Sequence, residues 1–394
     1  MKPLAVTAFT STTAAGHGND AFAAALVAAR GGLRRNDFTS HPLETWIGRV
    51  DGVEQHDWPA QFATWECRNN RLAWLGLQAD GFLGAVAAAC QRHGRGRVAL
   101  VLGTSTSSIG ATEEAYARLG PDGLFPADLR RPEVHEPNSL AGFVSAALGL
   151  AGPAVTVSTA CSSSAKVFAQ AARMIHLGLV DAAVVGGVDT LCGSVLFGFN
   201  SLELVSARPC QPFDIARSGI SLGEAAGFAL LEREGEGSAF LRGYGESSDA
   251  HHMSTPHPAG LGARLAIEAA LARAHCAPAE VQYVNLHGTA SQQNDEVEAK
   301  VVADLFPAST VAGSTKGWTG HTLGAAGVIE AIICLLAIGR GYRPGTLNTT
   351  HLDPACGPQI HIGGSAGRVD IALTESFGFG GNNAVLVFGR EAHG

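Results

Sequence analysis

Short runs of apolar residues recur along this chain, and most have the length of one β-strand. They are bounded by glycine or polar residues and predict buried strands over residues 98–102, 154–157, 182–185, 228–231, 281–285, 310–312 and 384–388. Longer stretches with helical spacing alternate with them and predict helices over residues 22–29, 163–177, 263–274 and 323–338. Continuous apolar strands that alternate with helices predict a layered α/β fold rather than an open antiparallel sheet.

A short pattern repeats within the chain. The tripeptide SLG at 221–223 recurs 155 positions later as SFG at 376–378, and apolar positions in the strands after each copy also match. The same offset carries Cys161 onto Lys316, and each of these residues follows a short predicted strand and precedes a predicted helix. This repetition predicts two similar halves that face each other across one site, with a boundary near 234–238. The predicted halves are residues 1–236 and 237–394.

The composition agrees with this organisation and narrows the possible partners. A chain of 394 residues is too long for one small core, which favours two closely packed halves. Hydrophobic residues make up 46% and charged residues only 16%, so we expect a globular rather than a disordered protein. The formal net charge of −8 disfavours binding to nucleic acid or to an anionic membrane surface.

The cysteines and the apolar segments indicate the compartment. Eight cysteines are scattered without a CxxC pair, which predicts reduced thiols in the cytoplasm rather than a disulfide scaffold or a zinc ribbon. The first residues, MKPLAVTAFTSTTAAG, lack the sustained apolar run of a secretory signal. The longest apolar segment, residues 331–338, is far shorter than the roughly 20 residues that span a bilayer. We therefore expect a buried helix there and no membrane span.

Cys161 lies between a predicted strand and a predicted helix in the segment GPAVTVSTACSSSAKVFAQAARMIHLG. The free N–H groups and the positive dipole end of that helix favour a thiolate. Its small neighbours, Ala160, Ser162 and Ser163, leave room for a bulky substrate to approach. A buried structural cysteine is the alternative interpretation, and this segment alone leaves both possibilities open.

The second half supplies candidate partners for this cysteine. His287 follows a predicted strand in VQYVNLHGTASQQNDEVEA, and Lys316 and His321 lie in a glycine-rich turn, GSTKGWTGHTLGAAG. A third glycine-rich segment, SFGFGGNN at 376–383, precedes the last predicted strand. Glycine-rich turns at strand ends are where open α/β proteins gather their sites. Each histidine taken alone is more often structural than catalytic, so the hypothesis depends on their combination.

These segments resemble the β-ketoacyl-ACP synthases of the elongating class, within the thiolase-fold superfamily. STACSSS resembles the family's nucleophile motif, while HGT at 287–289 and the spacing from Lys316 to His321 resemble its two histidine motifs. PFDIARSGISLGEAAG at 212–227 and SFGFGGNN match two further signatures in the same order along the chain. The resemblance implies a thiolase-like α/β fold of two pseudo-equivalent halves that form a five-layered αβαβα sandwich.

The resemblance also implies roles for five residues. Cys161 is the acyl acceptor, and His287 and His321 complete a Cys-His-His site. Two neutral imidazoles that donate N–H groups to one oxygen suit the loss of CO₂ from a malonyl thioester, which leaves an enolate. Lys316 resembles the family's active-site lysine and Glu298 its acidic partner. We expect Lys316 to hold charge and geometry around His321 and Glu298.

The preceding half-reaction is transfer of the acyl group to the cysteine. A thiolate attacks the acyl thioester, and the oxyanion that forms needs fixed hydrogen-bond donors. We expect the backbone N–H groups of Cys161 and Phe379 to supply them. Because a helix terminus can lower the pKa of a thiol, no adjacent general base is expected to be required.

Further residues resemble the family's substrate-binding positions. Thr289 and Ser291 correspond to hydroxyls that bind the phosphopantetheine arm, with Ser291 in place of the more usual threonine. Asp295 falls at a matching acidic position, and Phe379 resembles the gate of the glycine-rich loop, beside Phe377. Since substrates arrive on the phosphopantetheine of acyl carrier protein, no other cofactor is expected. The segment HHMSTPH resembles one that borders the site entrance, so we expect no metal there.

Three related classes are alternatives to an elongating synthase. A thiolase needs a second catalytic cysteine in the C-terminal glycine-rich loop, and SFGFGGNN has none. An initiating synthase uses Cys-His-Asn and would have asparagine where His321 stands. A chain-length factor keeps the fold but lacks the active-site cysteine, and Cys161 is present. The chain is therefore expected to be the competent subunit, which still leaves open that it needs such a factor as its partner.

The expected protein partners are an acyl carrier protein and a second subunit. Arg68 and Arg71 lie three residues apart on a predicted helix and resemble the family's positions for docking the acidic carrier; Arg130 and Arg131 are weaker candidates. A solvated helix face is the alternative interpretation of these arginines. Family members dimerise, so we expect either a homodimer or a heterodimer with a subunit like a chain-length factor.

The pathway is less constrained than the reaction. GTSTSSIGATEEAY at 103–116 stands where fatty-acid members have a more glycine-rich stretch beside the acyl pocket. This difference favours a specialised pathway, such as one that makes an aryl polyene or another polyene-like chain, over primary fatty-acid elongation.

Overall fold

The computed structural model describes residues 1–235, 237 and 239–391. The predicted boundary at 234–238 therefore includes two positions, 236 and 238, that lie outside the described residues. The division of the chain between 236 and 237 stays a prediction.

Strands and helices alternate along the described chain, as the apolar pattern predicts. The strands are β1 (Leu4–Thr13), β2 (Gly16–His17), β3 (Arg34–Arg35), β4 (Trp46–Gly48), β5 (Val98–Gly103), β6 (Ala154–Val157), β7 (Ala182–Asp189), β8 (Leu222–Gly223), β9 (Ala225–Glu232), β10 (Ala239–Ser248), β11 (Tyr283–Asn285), β12 (Val311–Gly313), β13 (Tyr342–Arg343), β14 (Ser365–Ala366), β15 (Ile371–Gly378) and β16 (Asn382–Gly389).

The α-helices are α1 (Asn19–Val27), α2 (Arg68–Leu77), α3 (Phe82–His93), α4 (Ile109–Ala117), α5 (Pro132–His135), α6 (Ser139–Leu148), α7 (Ser163–His176), α8 (Gly193–Ser201), α9 (Leu261–Ala274), α10 (Gln292–Leu305), α11 (Lys316–Thr319) and α12 (Ala326–Arg340). Short 3-10 helices cover Ala60–Trp65, Arg95–Arg97, Ala127–Leu129, Pro278–Glu280, Leu323–Ala325 and Phe379–Gly381.

Ten of the eleven strands of the main sheet form two groups of five with the same topology, and β2 pairs with the end of β1. Their spatial orders are β6-β5-β7-β9-β1 and β12-β11-β15-β16-β10. In each group the first three strands are mutually parallel and the last two are antiparallel to their neighbours. The groups join through three antiparallel residue pairs, from Leu4 with Leu241 to Val6 with Ala239. This confirms the prediction of two pseudo-equivalent halves.

Helices cover both faces of each group, so the molecule has five layers. The central layer contains α7 and α12, whose Phe168 and Ile332 share one core cluster with residues of both strand groups. One outer layer contains α2, α3 and α6, and its Phe82 packs in a cluster with the first group. The other contains α9 and α10, which pack against the second group. This is the αβαβα sandwich implied by the resemblance.

Three long strands were not predicted because buried polar residues interrupt their apolar pattern. In β1, Thr10, Ser11 and Thr12 are fully buried, and the first two hydroxyls are hydrogen-bonded to Asp80 and Asn19. In β15, Thr374, Glu375 and Ser376 are buried as well, and β10 is interrupted by buried Arg242 and two glycines. Buried polar residues with partners are compatible with a core strand, but they do not produce its sequence signature.

The longest apolar helical segment is longer than the predicted one. Leu323–Arg340 has 18 residues with a mean hydropathy of 1.9, enough by length and composition to cross a membrane, and 89% of it is buried inside the protein. Such burial is that of a core helix, here the central layer.

Candidate active site

Cys161 lies in the turn that connects β6 to α7, in the centre of the molecule. Its side chain is buried, and Ala160 before it has a φ of 52°, a left-handed conformation that is rare for a residue with a Cβ. The hydroxyl of Ser163 accepts a hydrogen bond of 2.9 Å from the backbone N–H of Thr159 across the turn. The turn thus fixes Cys161 at the start of the helix.

Cys161, His287 and His321 form one cluster. The Nε2 atom of His321 lies 2.9 Å from the Sγ atom of Cys161. One ring nitrogen of each histidine and Sγ lie within 4.8 Å of one another, and the two imidazole rings are perpendicular at 5.5 Å between centroids. All three side chains are buried. The structure therefore brings together the three residues on which the Cys-His-His hypothesis depends.

His287 is held by the turn that follows β11. The carboxylate of Glu298, on α10, accepts hydrogen bonds from the backbone N–H groups of His287 and Gly288 at 2.6 and 2.7 Å. Gly288 has a φ of 36° and Ala290 a φ of 68°, so the turn uses left-handed conformations that need such support. Glu298 therefore holds the backbone of this turn and does not itself line the cavity that contains Cys161.

Lys316 has a different acidic partner from the expected one. Its Nζ atom forms a buried ion pair with Glu330 on α12 and donates to the backbone oxygen of His287. It also lies 3.4 Å from Nδ1 of His287. The expectation that Lys316 supports His321 and pairs with Glu298 is thus corrected, because α12 carries Glu330 past the start of α11 and Glu298 is bound to backbone N–H groups.

The position of Lys316 also sets the tautomer of His287. An ammonium group only donates hydrogen bonds, so Nδ1 of His287 accepts and the ring proton resides on Nε2. Burial lowers the pKa of both His287 and His321 well below 6.5, and the charge of Lys316 lowers both further. Both imidazoles are therefore neutral at neutral pH.

Burial acts against ionisation of the Cys161 thiol. It raises the pKa of the thiol to about 11, even though the charge of Lys316 and a hydrogen bond from the backbone N–H of Phe379 act in the opposite direction. That no adjacent base is required stays a prediction, which rests on the helix dipole. The neutral imidazole of His321, 2.9 Å away, is the available base.

A cavity of about 460 Å³ connects this cluster with the surface. Cys161, both histidines and four other predicted residues line it: Thr289, Ser291, Phe377 and Phe379. The hydroxyls of Thr289 and Ser291 lie 2.9 Å apart, and the ring of Phe379 stacks on that of Phe199 at 5.6 Å. The backbone N–H of Phe379 reaches the sulfur of Cys161. The cavity thus combines a nucleophile, N–H donors and an apolar wall.

Two family descriptions match nearly the whole chain. "Beta-ketoacyl synthase, N-terminal domain" matches residues 1–236, and "Beta-ketoacyl synthase, C-terminal domain" matches residues 238–350. The chain belongs to the β-ketoacyl synthase family. It is accordingly a condensing enzyme of the acyltransferase type.

Curated members of the β-ketoacyl synthase family are similar over much of their length. The chain is 32% identical to 3-oxoacyl-[acyl-carrier-protein] synthase 2 of Vibrio cholerae, over 75% of this chain and 76% of that protein. It is 31% identical to nodulation protein E of Rhizobium leguminosarum bv. trifolii, over 88% and 89% of the two chains. A match at 37% identity to the mitochondrial 3-oxoacyl-[acyl-carrier-protein] synthase of Arabidopsis thaliana spans 64% of this chain and 59% of that protein.

Solved β-ketoacyl synthase structures share the fold. A ketosynthase from Xenorhabdus doucetiae, solved in complex with its chain length factor, superimposes with a TM-score of 0.90 at 36% identity and covers 98% of both chains. A β-ketoacyl synthase from Burkholderia phymatum gives a TM-score of 0.88 at 29% identity, over 99% of this chain and 100% of that one. These structures establish the thiolase-like fold.

Asp295 does not lie where a substrate-binding residue of this synthase would. Its carboxylate accepts a 2.8 Å hydrogen bond from the backbone N–H of Phe213 and faces the guanidinium of Arg217 at 3.9 Å. Burial raises its pKa to about 7. The residue lies in the first turn of α10 on the side away from the cavity, so its contacts are structural.

Arg68 and Arg71 are not free docking residues. Arg68 forms ion pairs with Glu54 and with fully buried Glu224, and Arg71 pairs with Glu66; the two side chains are only 19% and 22% exposed. Both line a separate cavity of about 500 Å³ rather than the one that contains Cys161. The predicted helix exists as α2, but carboxylates from other parts of the fold and from the residues before the helix pair with its arginines.

Arg130 and Arg131 also make internal contacts. Arg130 is exposed and donates to the backbone oxygen of Phe125 at 2.6 Å, whereas Arg131 donates to that of Glu66 at 2.6 Å.

Glu330 is the functional residue that sequence reasoning missed. It is the single charged residue in the buried run AGVIEAIICLLAIG at the start of α12, and a lone carboxylate there needs a buried cation. Burial raises its pKa to about 7 despite the opposite effect of Lys316. The isolated acid in an apolar helix was the signal that could have found this partner.

Proposed function

We propose that this β-ketoacyl synthase holds an acyl chain as a thioester on Cys161 and condenses it with a malonyl group delivered by acyl carrier protein. The observation that supports it most directly is the 2.9 Å contact between Sγ of Cys161 and Nε2 of His321, with His287 beside them in a 460 Å³ cavity. A nucleophile, a neutral base and a second N–H donor in one desolvated site suit acyl transfer followed by condensation.

In the first half-reaction, His321 takes the proton of Cys161 as the thiolate attacks the acyl thioester. The negative charge that develops on the carbonyl oxygen is bound by the backbone N–H groups of Cys161 and Phe379. The intermediate then expels the carrier thiolate, which takes the proton back from His321 and leaves as a thiol, so His321 is neutral again. The hydrogen bond between the N–H of Phe379 and the sulfur supports this assignment, because the same N–H lies where that oxygen would form.

In the second half-reaction, the malonyl thioester loses CO₂ and its carbonyl oxygen becomes an enolate. The Nε2–H group of neutral His287 donates to this oxygen, a contact worth roughly 3–4 kcal/mol by analogy with an oxyanion-hole donor. Neutral His321 donates a second hydrogen bond in the tautomer that has its proton on Nε2. The carbanion then attacks the carbonyl carbon of the acyl-Cys161 thioester, and the thiolate leaves. Lys316 does not line the cavity, so it acts by holding His287 in the donor tautomer.

The substrates are carried on the phosphopantetheine arm of acyl carrier protein. The paired hydroxyls of Thr289 and Ser291 on the cavity wall are suited to hydrogen-bond this arm. Leu202 and Met253 also line the cavity and are 53% and 76% exposed, so its mouth offers apolar contacts to a carrier. No metal or further cofactor takes part in either step, although a thiol and two imidazoles are a donor set that Zn²⁺ accepts.

The enzyme acts as a dimer in the cytoplasm. β6 is an edge strand with a partly exposed face, and an unpaired edge beside the nucleophile turn suits pairing with another subunit. All eight cysteines are free thiols, which agrees with a reducing compartment.

A second candidate is a ketosynthase that works only with a chain-length-factor subunit. The Xenorhabdus doucetiae ketosynthase, 36% identical over 98% of both chains, was solved with such a factor, and this supports a heterodimer. The segment at 103–116 is what favours a specialised, polyene-like pathway. Acyl loading assays with saturated and polyunsaturated carrier thioesters test the pathway, and equal use of saturated chains would count against it.

The test of the reaction uses the protein purified alone, with acyl carrier thioesters and malonyl carrier protein. Intact mass follows the acyl adduct and product analysis follows the ketoacyl carrier, for the wild type and for Cys161→Ala. An adduct that is absent from the variant, together with ketoacyl product, supports a self-sufficient synthase. An adduct without condensation supports the second candidate. No adduct with any acyl carrier would overturn the role of Cys161.

A further inference from the structure

Glu375 is a buried carboxyl group near the site that the proposed mechanism does not use. It lies on β15, four residues before Phe379, and its side chain is fully buried. Side chains alternate between the faces of a strand, and Leu373 and Phe377 belong to the cluster packed against α9 and α10. Glu375 therefore points toward α10, the helix that carries Glu298.

Glu375 on β15 and Glu298 on α10 face each other, and a side-chain hydrogen bond between them affects the pKa of both carboxyl groups. Two ionised carboxylates can only accept hydrogen bonds and repel each other, so contact between them requires one proton. Burial raises the pKa of both groups, that of Glu375 well above its usual value. The pair therefore carries a single negative charge at neutral pH.

The surrounding donors decide which member holds the proton. Glu298 accepts hydrogen bonds from the backbone N–H groups of His287 and Gly288, and a third of 3.1 Å from Nδ2 of Asn294. Within the described part of the chain, no N–H or hydroxyl donor reaches either oxygen of Glu375. Three donors stabilise the ionised form of Glu298. Glu375 has no such donor among the described residues, so its neutral form is favoured.

We propose that Glu375 is a positioning residue whose carboxyl proton is donated to Glu298 and fixes the turn that carries His287. Held from one side by Glu375, the carboxylate of Glu298 stays against the N–H groups of His287 and Gly288. That turn contains left-handed residues and depends on this contact for its shape. The inference rests on the proposed function, in which an N–H group of His287 stabilises the enolate.

The charges around the pair explain why the proton matters. Glu298 on α10 faces Glu375, and Lys316 on α11, Glu330 on α12 and His287 after β11 lie beyond it. Asp295 on α10 also acts on Glu298, and Arg217 faces Asp295 at 3.9 Å. Among the described residues, Lys316 is the cation that acts on the pair. Loss of the proton from Glu375 would add a second carboxylate beside Glu298, so Glu298 would be displaced from the turn.

Substitutions of Glu375 test this role. Glu375→Gln keeps the shape and offers an N–H donor to Glu298, so condensation by acylated enzyme should stay within about threefold of wild type. Glu375→Leu offers no donor and should lower condensation about 100-fold, while acyl loading on Cys161, which does not use His287, is retained. Thr374→Val is the matched control, because the Thr374 hydroxyl is buried and lacks a partner among the described residues.

The pH dependence of stability distinguishes a protonated Glu375 from a side chain that only fills space. A carboxyl group whose pKa is higher in the folded than in the unfolded protein takes up a proton on folding. The free energy of unfolding of the wild type should therefore decrease as the pH rises above 4.5, the pKa in the unfolded chain, until it reaches the pKa in the folded protein. Glu375→Gln lacks that proton, and its melting temperature should fall less between pH 6 and pH 9.

These experiments distinguish a failure of the inference about Glu375 from a failure of the proposed function. Equal pH slopes for wild type and Glu375→Gln, or full condensation by folded Glu375→Leu, would overturn the inference about Glu375. A wild type that neither loads nor condenses would instead overturn the proposed function. Loading by Glu375→Leu with condensation lost, restored in Glu375→Gln, is the expected pattern.

Discussion

The two halves of the molecule share one topology but give the site different chemistry. In the first half, the turn after β6 presents Cys161 among small uncharged neighbours such as Ser162. In the second half, the turns after β11 and β12 present two imidazoles, backed by buried ions such as Lys316 and Glu298. A duplicated scaffold has therefore been specialised, with the nucleophile on one side and the charged network on the other.

This difference matches the two half-reactions. Burial raises the pKa of the Cys161 thiol to about 11, so the cysteine is a thiol until His321 takes its proton. The charged network keeps the imidazoles neutral and oriented. We expect changes in the first half to stop acyl loading, and changes behind His287 to stop condensation while loading continues.

The largest effect is expected from removing the nucleophile of the first half. Cys161→Ala should abolish the acyl adduct and lower ketoacyl formation by about 10,000-fold, because no other group in the cavity can carry the thioester. Intact mass and product analysis measure the two steps separately. Cys90→Ala, a cysteine on α3 outside this cavity, is the control and should load like wild type. If Cys161→Ala still formed the acyl adduct, the assignment of acyl loading to the first half would be wrong.

The buried ion pair of the second half gives the next largest effect. Lys316→Met leaves Glu330 buried without its cation and should lower the free energy of unfolding by about 3–5 kcal/mol. The double variant Lys316→Met/Glu330→Leu removes both charges and should recover most of that stability, as measured by urea unfolding. Condensation should stay low in the double variant, since His287 lacks the group that sets its tautomer. If the double variant condensed normally, the pair would be structural only.

Removing one imidazole should separate the half-reactions. His287→Ala should lower condensation about 100- to 1,000-fold through loss of an enolate donor, whereas the Cys161 adduct should still form with His321 as base. Single-turnover reaction of isolated acyl-enzyme with malonyl carrier measures the condensation step. His351→Ala, an exposed histidine, is the control. A parallel loss of loading in His287→Ala would show that the two halves do not divide the chemistry as described.

The local sequence predicted the first half of the site better than the second. The strand before Cys161 and the helix after it appear at the predicted positions, because a continuous apolar run and small residues are local signals. β15 was missed since Thr374, Glu375 and Ser376 look like a loop, yet all three are buried. The elements that bury them, such as α12 and α10, are distant in sequence, and no local pattern reports this burial.

Electrostatic contacts explain the other errors. The spacing of Arg68 and Arg71 correctly indicated one helix. The partners of Arg68, Glu54 and Glu224, come from other segments, whereas Arg71 pairs with Glu66 just before the helix. The pairing of Lys316 followed from resemblance and was assigned to Glu298, whereas the fold brings Glu330 to it. Residue types and order along the chain were enough for Cys161, His287 and His321, and the pairing of buried charges required the structure.

The smallest effect concerns the contact that holds the halves together. α7 and α12 cross in the central layer, where a Cβ on Gly327 would lie 2.5 Å from the backbone nitrogen of Ala165. Gly327→Ala should therefore destabilise the protein by about 1–3 kcal/mol, because backbone atoms cannot yield without separating the helices. Ala165 is four residues from Cys161, so acyl loading should slow as well. Urea unfolding and intact mass measure the two effects.

Gly339, on the same helix, provides a control of opposite sign. A Cβ there meets no atom within 4 Å, so Gly339→Ala should gain about 0.5–1 kcal/mol of stability from helix propensity. The pair of variants thus isolates the helix crossing from the general effect of adding a methyl group to α12. If Gly327→Ala were as stable as Gly339→Ala, α7 and α12 could move apart without loss of stability. The position of Cys161 relative to His321 would then depend on the turns alone.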